Sequence, residues 1–189
     1  MQTLTTLFLG LSFFMTDPSL VTNKVVDTES SVVTWKGYKV TGSHEGTIKL
    51  KDGELEFEGD KLVGGQFTMD MTSLACTDMK GGGAAKLEGH LKSADFFGVD
   101  KFPMSTFNIT KVVSRGAAGA YKITGDLTIK DKTNQVSFNA VLDGNEATAS
   151  TQIDRSQYDI KYGSGSFFDN LGDKTIYDEF DLTINLVTK

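Results

Sequence analysis

From about residue 25 onward the chain alternates apolar and polar residues, in runs separated by short polar links. SSVVTWKGYKV (30–40) puts Val33 and Trp35 on one face. GGQFTMDMTSL (64–74) puts Phe67, Met69 and Met71 together, with Thr68, Asp70 and Thr72 opposite. STFNITKVV (105–113) aligns Phe107 with Ile109, and AYKITGDLTIK (120–130) aligns Tyr121, Ile123, Gly125, Leu127 and Ile129. QVSFNAVL (135–142) aligns Val136, Phe138, Ala140 and Leu142. ATASTQIDR (147–155) carries Ile153 and Arg155 on the Ala147 face, and EFDLTINLV (179–187) aligns Phe180, Leu182, Ile184 and Leu186. In GTIKLKDGELEFEG (46–59), Ile48 and Leu50 share a face, then Leu55 and Phe57, with Asp52-Gly53 between the pairs. An Asp-Gly between two alternating segments predicts a hairpin at that point. The side-chain period of a strand is two, so these runs predict eight or nine strands, each with one apolar face.

One-sided alternation predicts an antiparallel sheet with one face in water. Short links at 51–54, 130–134 and 143–146 make neighbours in sequence neighbours in space. A meander of eight strands leaves two open edges unless it closes, and closure encloses room for side chains or one ligand. The expected fold is all-β: an extended eight-stranded antiparallel barrel. A two-sheet sandwich competes, but the meander order requires no Greek-key crossing. One short helix interrupts the strands between strands four and five: AAKLEGHLKSADFF (84–97) carries Leu87, Leu91 and Ala94 at helical spacing. Gly81 to Gly83 give it a flexible entry, and Ser93 can cap a second short turn through Phe96. Pro103 pushes Phe102 into an extended form and ends any helix there. HLKSADFFGVDKFPMSTF (90–107) therefore reads as a helix tail and an irregular connection, in which Phe107 already belongs to the next strand.

Composition narrows the function classes. A chain of 189 residues is one domain by default and buries a core without staples. Its net charge of −6 repels phosphate backbones, so nucleic acid is not an expected partner. One cysteine, Cys76, allows no intramolecular disulfide. The two histidines, His44 and His90, are scattered from it, so neither a metal site nor a nucleophile–base pair is expected, and no cofactor is implied. Gly81–Gly83 lacks the following Lys-Ser/Thr of a phosphate loop. Residues 1–24 read as an export signal or a disordered, hydrophobic leader ahead of a barrel domain at 25–189. The apolar run Leu7–Met15 is too short to span a bilayer but has the length of a signal-peptide core. No basic residue precedes that run, and no clear small-residue cleavage site follows it.

Three stretches together resemble the YceI-like family of bacterial lipid-binding proteins: VTWKGYKVTGSHEGTIKL, HLKSADFFGVDKFPMSTF and YKITGDLTIKDKTNQVSFNAVL. The resemblance covers roughly residues 25–188, and RSQYDIKYG (155–163) adds Arg155, Tyr158 and Ile160 of a pattern found on the penultimate strand in many members. It implies a lipocalin-like barrel holding a long isoprenoid chain, a polyisoprenoid or a quinone tail, and a periplasmic or secreted location. The partners implied are an isoprenoid lipid or quinone, with a homodimer and a transient membrane contact left open.

By residue pattern alone the inward apolar set fits a solid core as well as a hollow one; the resemblance favours the hollow one. The expected ligand contacts are then Trp35, Phe67, Met69, Met71, Phe107, Ile123, Leu127 and Phe138 on the wall and Phe96 and Phe97 on the lid, with His90 and Arg155 as polar contacts. Arg155 falls on an inward parity, where its guanidinium would meet a quinone carbonyl or a phosphate head; the alternative is that the strand ends by residue 154 and Arg155 reaches solvent. The expected function is non-catalytic binding, sequestration or transport of the lipid. The alternatives are a structural or adhesion-type β domain with a solid core, and a barrel enzyme of quinone or lipid metabolism using His44 or His90.

Overall fold

In the computed structural model, which describes residues 20–189, the alternating runs are strands. They are β1 (Val21–Val25), β2 (Val32–Lys39), β3 (Gly42–Glu58), β4 (Lys61–Cys76), β5 (Met104–Ser114), β6 (Ala120–Ile129), β7 (Lys132–Asp143), β8 (Glu146–Asp154) and β9 (Ile176–Val187). One helix, α1 (Gly82–Lys92), lies between β4 and β5. From β2 onward each strand pairs antiparallel with its successor, and β9 returns to β2, from Val32 opposite Asn185 to Lys39 opposite Ile176. β2 to β9 therefore form a closed eight-stranded barrel, the lipocalin-like fold expected from the alternation, and closure leaves no long edge for another chain to pair with. The run Leu7–Met15 lies outside the described residues.

Four local readings change. β3 runs straight through Asp52-Gly53, and its inward set switches from Ile48 and Leu50 to Gly53, Leu55 and Phe57 across a register shift between Leu50 and Asp52. A β-bulge changes the phase of alternation just as a turn does, so the two look alike in sequence. The hairpin comes later, at Gly59-Asp60, where Gly59 has φ 60 and Glu58 pairs with Lys61.

The second change is β1. It pairs with Glu54–Glu58 on the same edge of β3 that β2 holds farther down, so β1 and β2 act as one interrupted wall strand. Residues 27–31 turn between them, tied by Ser31 N–H to Asp27 O and by Val187 N–H to Ser31 Oγ. The wall thus begins at Val21 rather than at residue 25. β1 gave no alternation signal because four of its five side chains are exposed and backbone pairing alone holds it. Splitting β3 and missing β1 offset each other, which is why the helix still falls between the fourth and fifth strands.

Third, α1 stops at Lys92 rather than at residue 97. Ser93 turns extended (ψ 163), with its Oγ donating to His90 O. The following bend folds back on the helix end, with the N–H groups of Phe96 and Gly98 on Ser93 O, of Phe97 on Leu91 O and of Val99 on Lys92 O. β8 likewise ends at Asp154, whose carboxylate accepts from Ser156 N–H and caps a 3-10 turn at Arg155–Tyr158, so the RSQYDIKYG pattern is a turn and loop here rather than a strand.

Successive connections of a meander alternate between barrel ends. Residues 77–103 and 155–175 therefore cover one end, together with the tight turns Val40-Thr41 and Lys130-Asp131. The opposite end holds Gly59-Asp60, 115–119 and Gly144-Asn145.

Candidate functional site

The barrel is hollow. A cavity of about 220 Å³ runs along its axis, and its lining is almost wholly apolar. The inward side chains of β5, β7 and β9, among them Phe107, Ile109, Val136, Phe138, Phe180 and Leu182, are only half-buried. They border empty space along the axis, which a solid core would not allow. Trp35 Nε1 donates to Thr47 O (3.3 Å), so the indole turns a satisfied, apolar face to the lumen.

Glycines in the wall keep the rings flat. A β-carbon at Gly125 would lie 2.5 Å from Phe107 Cε2 and Cζ, at Gly53 2.8 Å from Phe67 Cδ1, and at Gly46 2.6 Å from Trp35 Cζ2. Each ring lies on its neighbouring strand in the place where a side chain would project. Over Gly125 the Phe107 ring reaches across β6 to Phe138, with centroids 5.5 Å apart, while Phe67 stacks on its other side at 6.3 Å.

The lid closes one end. Phe96 and Phe97, 6% and 9% exposed, stand edge to face at 5.1 Å and line the cavity. Arg155, 2% exposed, lies behind them with its guanidinium 5.4 Å from the Phe96 centroid. Its Nε donates to Tyr177 O, Nη1 to Ile160 O and Nη2 to Ile176 O, and Nη2 is 3.2 Å from Asp178 Oδ1. Burial pushes its pKa below the ordinary arginine value, against the pull of Asp178 and Asp154. Arg155 does line the cavity, but these donors hold the 155–176 connection onto β9 rather than reaching into the lumen. Met69, Met71, Ile123 and Leu127 also line it.

His90 is the exception in the expected contact set: it is absent from the cavity wall. Its ring packs edge-on against Phe96 (5.5 Å) and Tyr162 (4.4 Å), and its buried Nε2 has no hydrogen-bond partner. His44 is also away from the lumen, with Nδ1 2.9 Å from Asp78 Oδ2. Cys76 Sγ donates to the other oxygen of Asp78 (3.0 Å), and burial, then Asp78, push the thiol pKa up, which opposes nucleophilic use. Among the described residues no three His, Cys, Asp or Glu side chains are grouped to hold a metal ion.

The profile of the YceI-like domain matches residues 24–188. The chain belongs to the YceI-like family. A UPF0312 protein of Staphylococcus aureus is 42% identical over 86 residues, 40% of this chain and 47% of that protein, so this chain spans about half the length of that relative. A UPF0312 protein of Pseudomonas putida is 29% identical over 149 residues, 76% of this chain and 73% of its own. Among solved structures, Burkholderia cenocepacia BcnA superposes with TM-score 0.69 at 24% identity, over 87% of this chain and 99% of its own. A polyisoprenoid binding domain from Saccharophagus degradans superposes with TM-score 0.60 at 13% identity, over 88% and 97%. Both share the fold of this YceI-like domain.

Signals for the lumen residues were present in the alternation. Those for the glycine seats were not, because only pairing across strands shows which ring lies over which glycine. Three expectations follow from the YceI-like barrel. Gly125→Ala drives a methyl into the Phe107 ring and destabilises by about 1–3 kcal/mol, and Phe107→Leu added to it recovers part of the loss, both read by urea unfolding. Arg155→Lys loses the fork that meets three carbonyls and weakens the pairing of Asp178, at a cost of about 2–4 kcal/mol by the same measurement. His90 has its pKa pushed below the ordinary 6.5 by burial, opposed by Asp95. Its unfolded form therefore takes up the proton first, and stability falls as pH drops through the mid-sixes, levelling below the folded value. His90→Phe flattens that part of a melting-temperature profile between pH 7 and pH 5; an unchanged profile would assign the slope to other groups.

Proposed function

We propose that this chain is a non-catalytic carrier or buffer that holds one isoprenoid chain, a polyisoprenoid or the tail of a quinone, in the barrel lumen. The observation that supports this most is the hollow interior itself: an apolar tube walled by Trp35, phenylalanines and methionines and capped by Phe96 and Phe97. At about 220 Å³ it is larger than the ~150 Å³ cavity that retains benzene but below the roughly 300 Å³ at which ligand pockets usually begin, which suits a thin flexible chain over a bulky ring system. Each methylene moved from water into such a tube contributes ~0.8 kcal/mol, so ten supply about 8 kcal/mol before ordering costs. Met69 and Met71 adapt to an irregular chain. A solved relative in fold is named a polyisoprenoid binding domain, which agrees with this reading. Both histidines stand off the lumen wall, which supports binding without proton transfer to the cargo. The reading includes a periplasmic or secreted location, on the apolar run Leu7–Met15 and the family resemblance.

The sole tryptophan makes the test direct, because Trp35 lines the lumen. Decylubiquinone is expected to quench its fluorescence saturably. Phe138→Glu, which puts a charge on the lumen wall, is expected to abolish the quench while circular dichroism stays barrel-like. An organic extract of natively purified protein should yield an isoprenoid by mass spectrometry. An empty extract together with no saturable quench sinks the proposal.

A further inference from the structure

All four exposed aromatic side chains among the described residues lie in one short stretch: Tyr162 (48%), Phe167 (44%), Phe168 (50%) and Tyr177 (50%). That stretch is the β8–β9 connection and its return into β9, at the lid end. Val40, also exposed, sits beside it, with its N–H on Thr175 O. Tyr162 and Phe168 with Leu171 line a surface cleft rimmed by Lys161, Lys174 and Asp95. The path from this patch into the lumen crosses three rings in edge-to-face contact: Tyr162 on His90 at 4.4 Å, and His90 on Phe96 at 5.5 Å, with Phe96 lining the cavity.

Charge is divided between the barrel ends. The far end is acidic on balance: Asp27, Glu29, Glu54, Glu56, Glu58, Asp60, Asp143 and Glu146 stand against Lys24, Lys61, Lys111, Arg115, Lys122 and Lys189. The lid-end connections carry Lys80, Lys86, Lys92, Lys101, Lys130, Arg155, Lys161 and Lys174 against Asp78, Glu88, Asp95, Asp100, Asp131, Asp159, Asp169 and Asp173, an even balance. An anionic surface repels the first end and tolerates the second, so it turns the aromatic patch toward itself. Tyrosine and phenylalanine flanked by lysine is the chemistry of a bilayer interface, where amphipathic rings sit at headgroup depth.

We propose that the lid end, through Tyr162, Phe167, Phe168 and Tyr177, docks on a lipid bilayer surface, so that an apolar cargo passes between membrane and lumen without crossing water. This rests on the lumen being a lipid site, but docking has its own readout. Full-length protein is floated with phosphatidylcholine vesicles containing phosphatidylglycerol and no isoprenoid. Wild type is expected to partition onto them, and Phe167→Ser with Phe168→Ser to partition about tenfold less, the loss of two part-inserted rings. Val141→Ser, an exposed aliphatic toward the far end, should float as wild type does, and all three should melt alike. Equal flotation of the double variant, or none by wild type, overturns the proposal. So does a concentration-dependent dimer that the double substitution abolishes while flotation is unchanged, which gives the patch to a second copy. Geranylgeraniol delivered in detergent micelles and read at Trp35 reports on the lumen separately. The double variant should bind it as wild type does, yet load it from vesicles about tenfold more slowly. No binding by either protein would sink the lumen reading and leave flotation to decide docking.

Discussion

The structure depends on the pairing of β9 with β2. Seven antiparallel pairs join strands consecutive in sequence, but only the register of Val32 opposite Asn185 through Lys39 opposite Ile176 turns the meander into a tube. That closure sets the circumference at eight strands, and the circumference sets the interior. Eight strands leave an interior that large side chains just fill, so whether a lumen survives rests on where the rings go. Here Gly46, Gly53 and Gly125 supply flat seats, and Trp35, Phe67 and Phe107 lie against the wall instead of meeting on the axis. Half-burial of Phe138, Phe180 and Leu182 is the other side of the same fact.

Closure also fixes which connections share an end. The α1 tail and the 155–175 loop are far apart in sequence, yet alternation of ends brings them together over the same opening. Arg155 joins them: its guanidinium rests on Phe96 from one connection while it donates to carbonyls of the other. A buried charge with three carbonyls and Asp178 around it is a rigid fastening, and it keeps Phe96 and Phe97 over the mouth. His90 plays the complementary part on the outer side, as a neutral ring between Phe96 and Tyr162.

Most of the wall was legible because a strand repeats every two residues and one face met water. Phe67, Met69, Ile123, Leu127 and Phe138 could be placed inward from spacing alone. The failures have physical causes. The Asp52-Gly53 step carries the signature of a turn, but its glycine serves as a seat for Phe67 within a bulged strand. β1 has little apolar periodicity because it is held by backbone pairing and little side-chain burial. His90 lies in the motif that also holds the lid phenylalanines, and the step of about 100° from its neighbour Leu91, which lines the lumen, is enough to put it on the outside.

Alone, the sequence determined the class of element, the meander order, the position of the helix and the apolar character of the inner face, since each follows from local periodicity, turn chemistry and link length. Only the tertiary structure decided that the tube is hollow, that Arg155 is a fastening and that the exposed aromatics gather at the lid end. Those properties depend on which residues meet across strands and across ends, and contacts between residues distant in sequence leave no periodic trace in the chain.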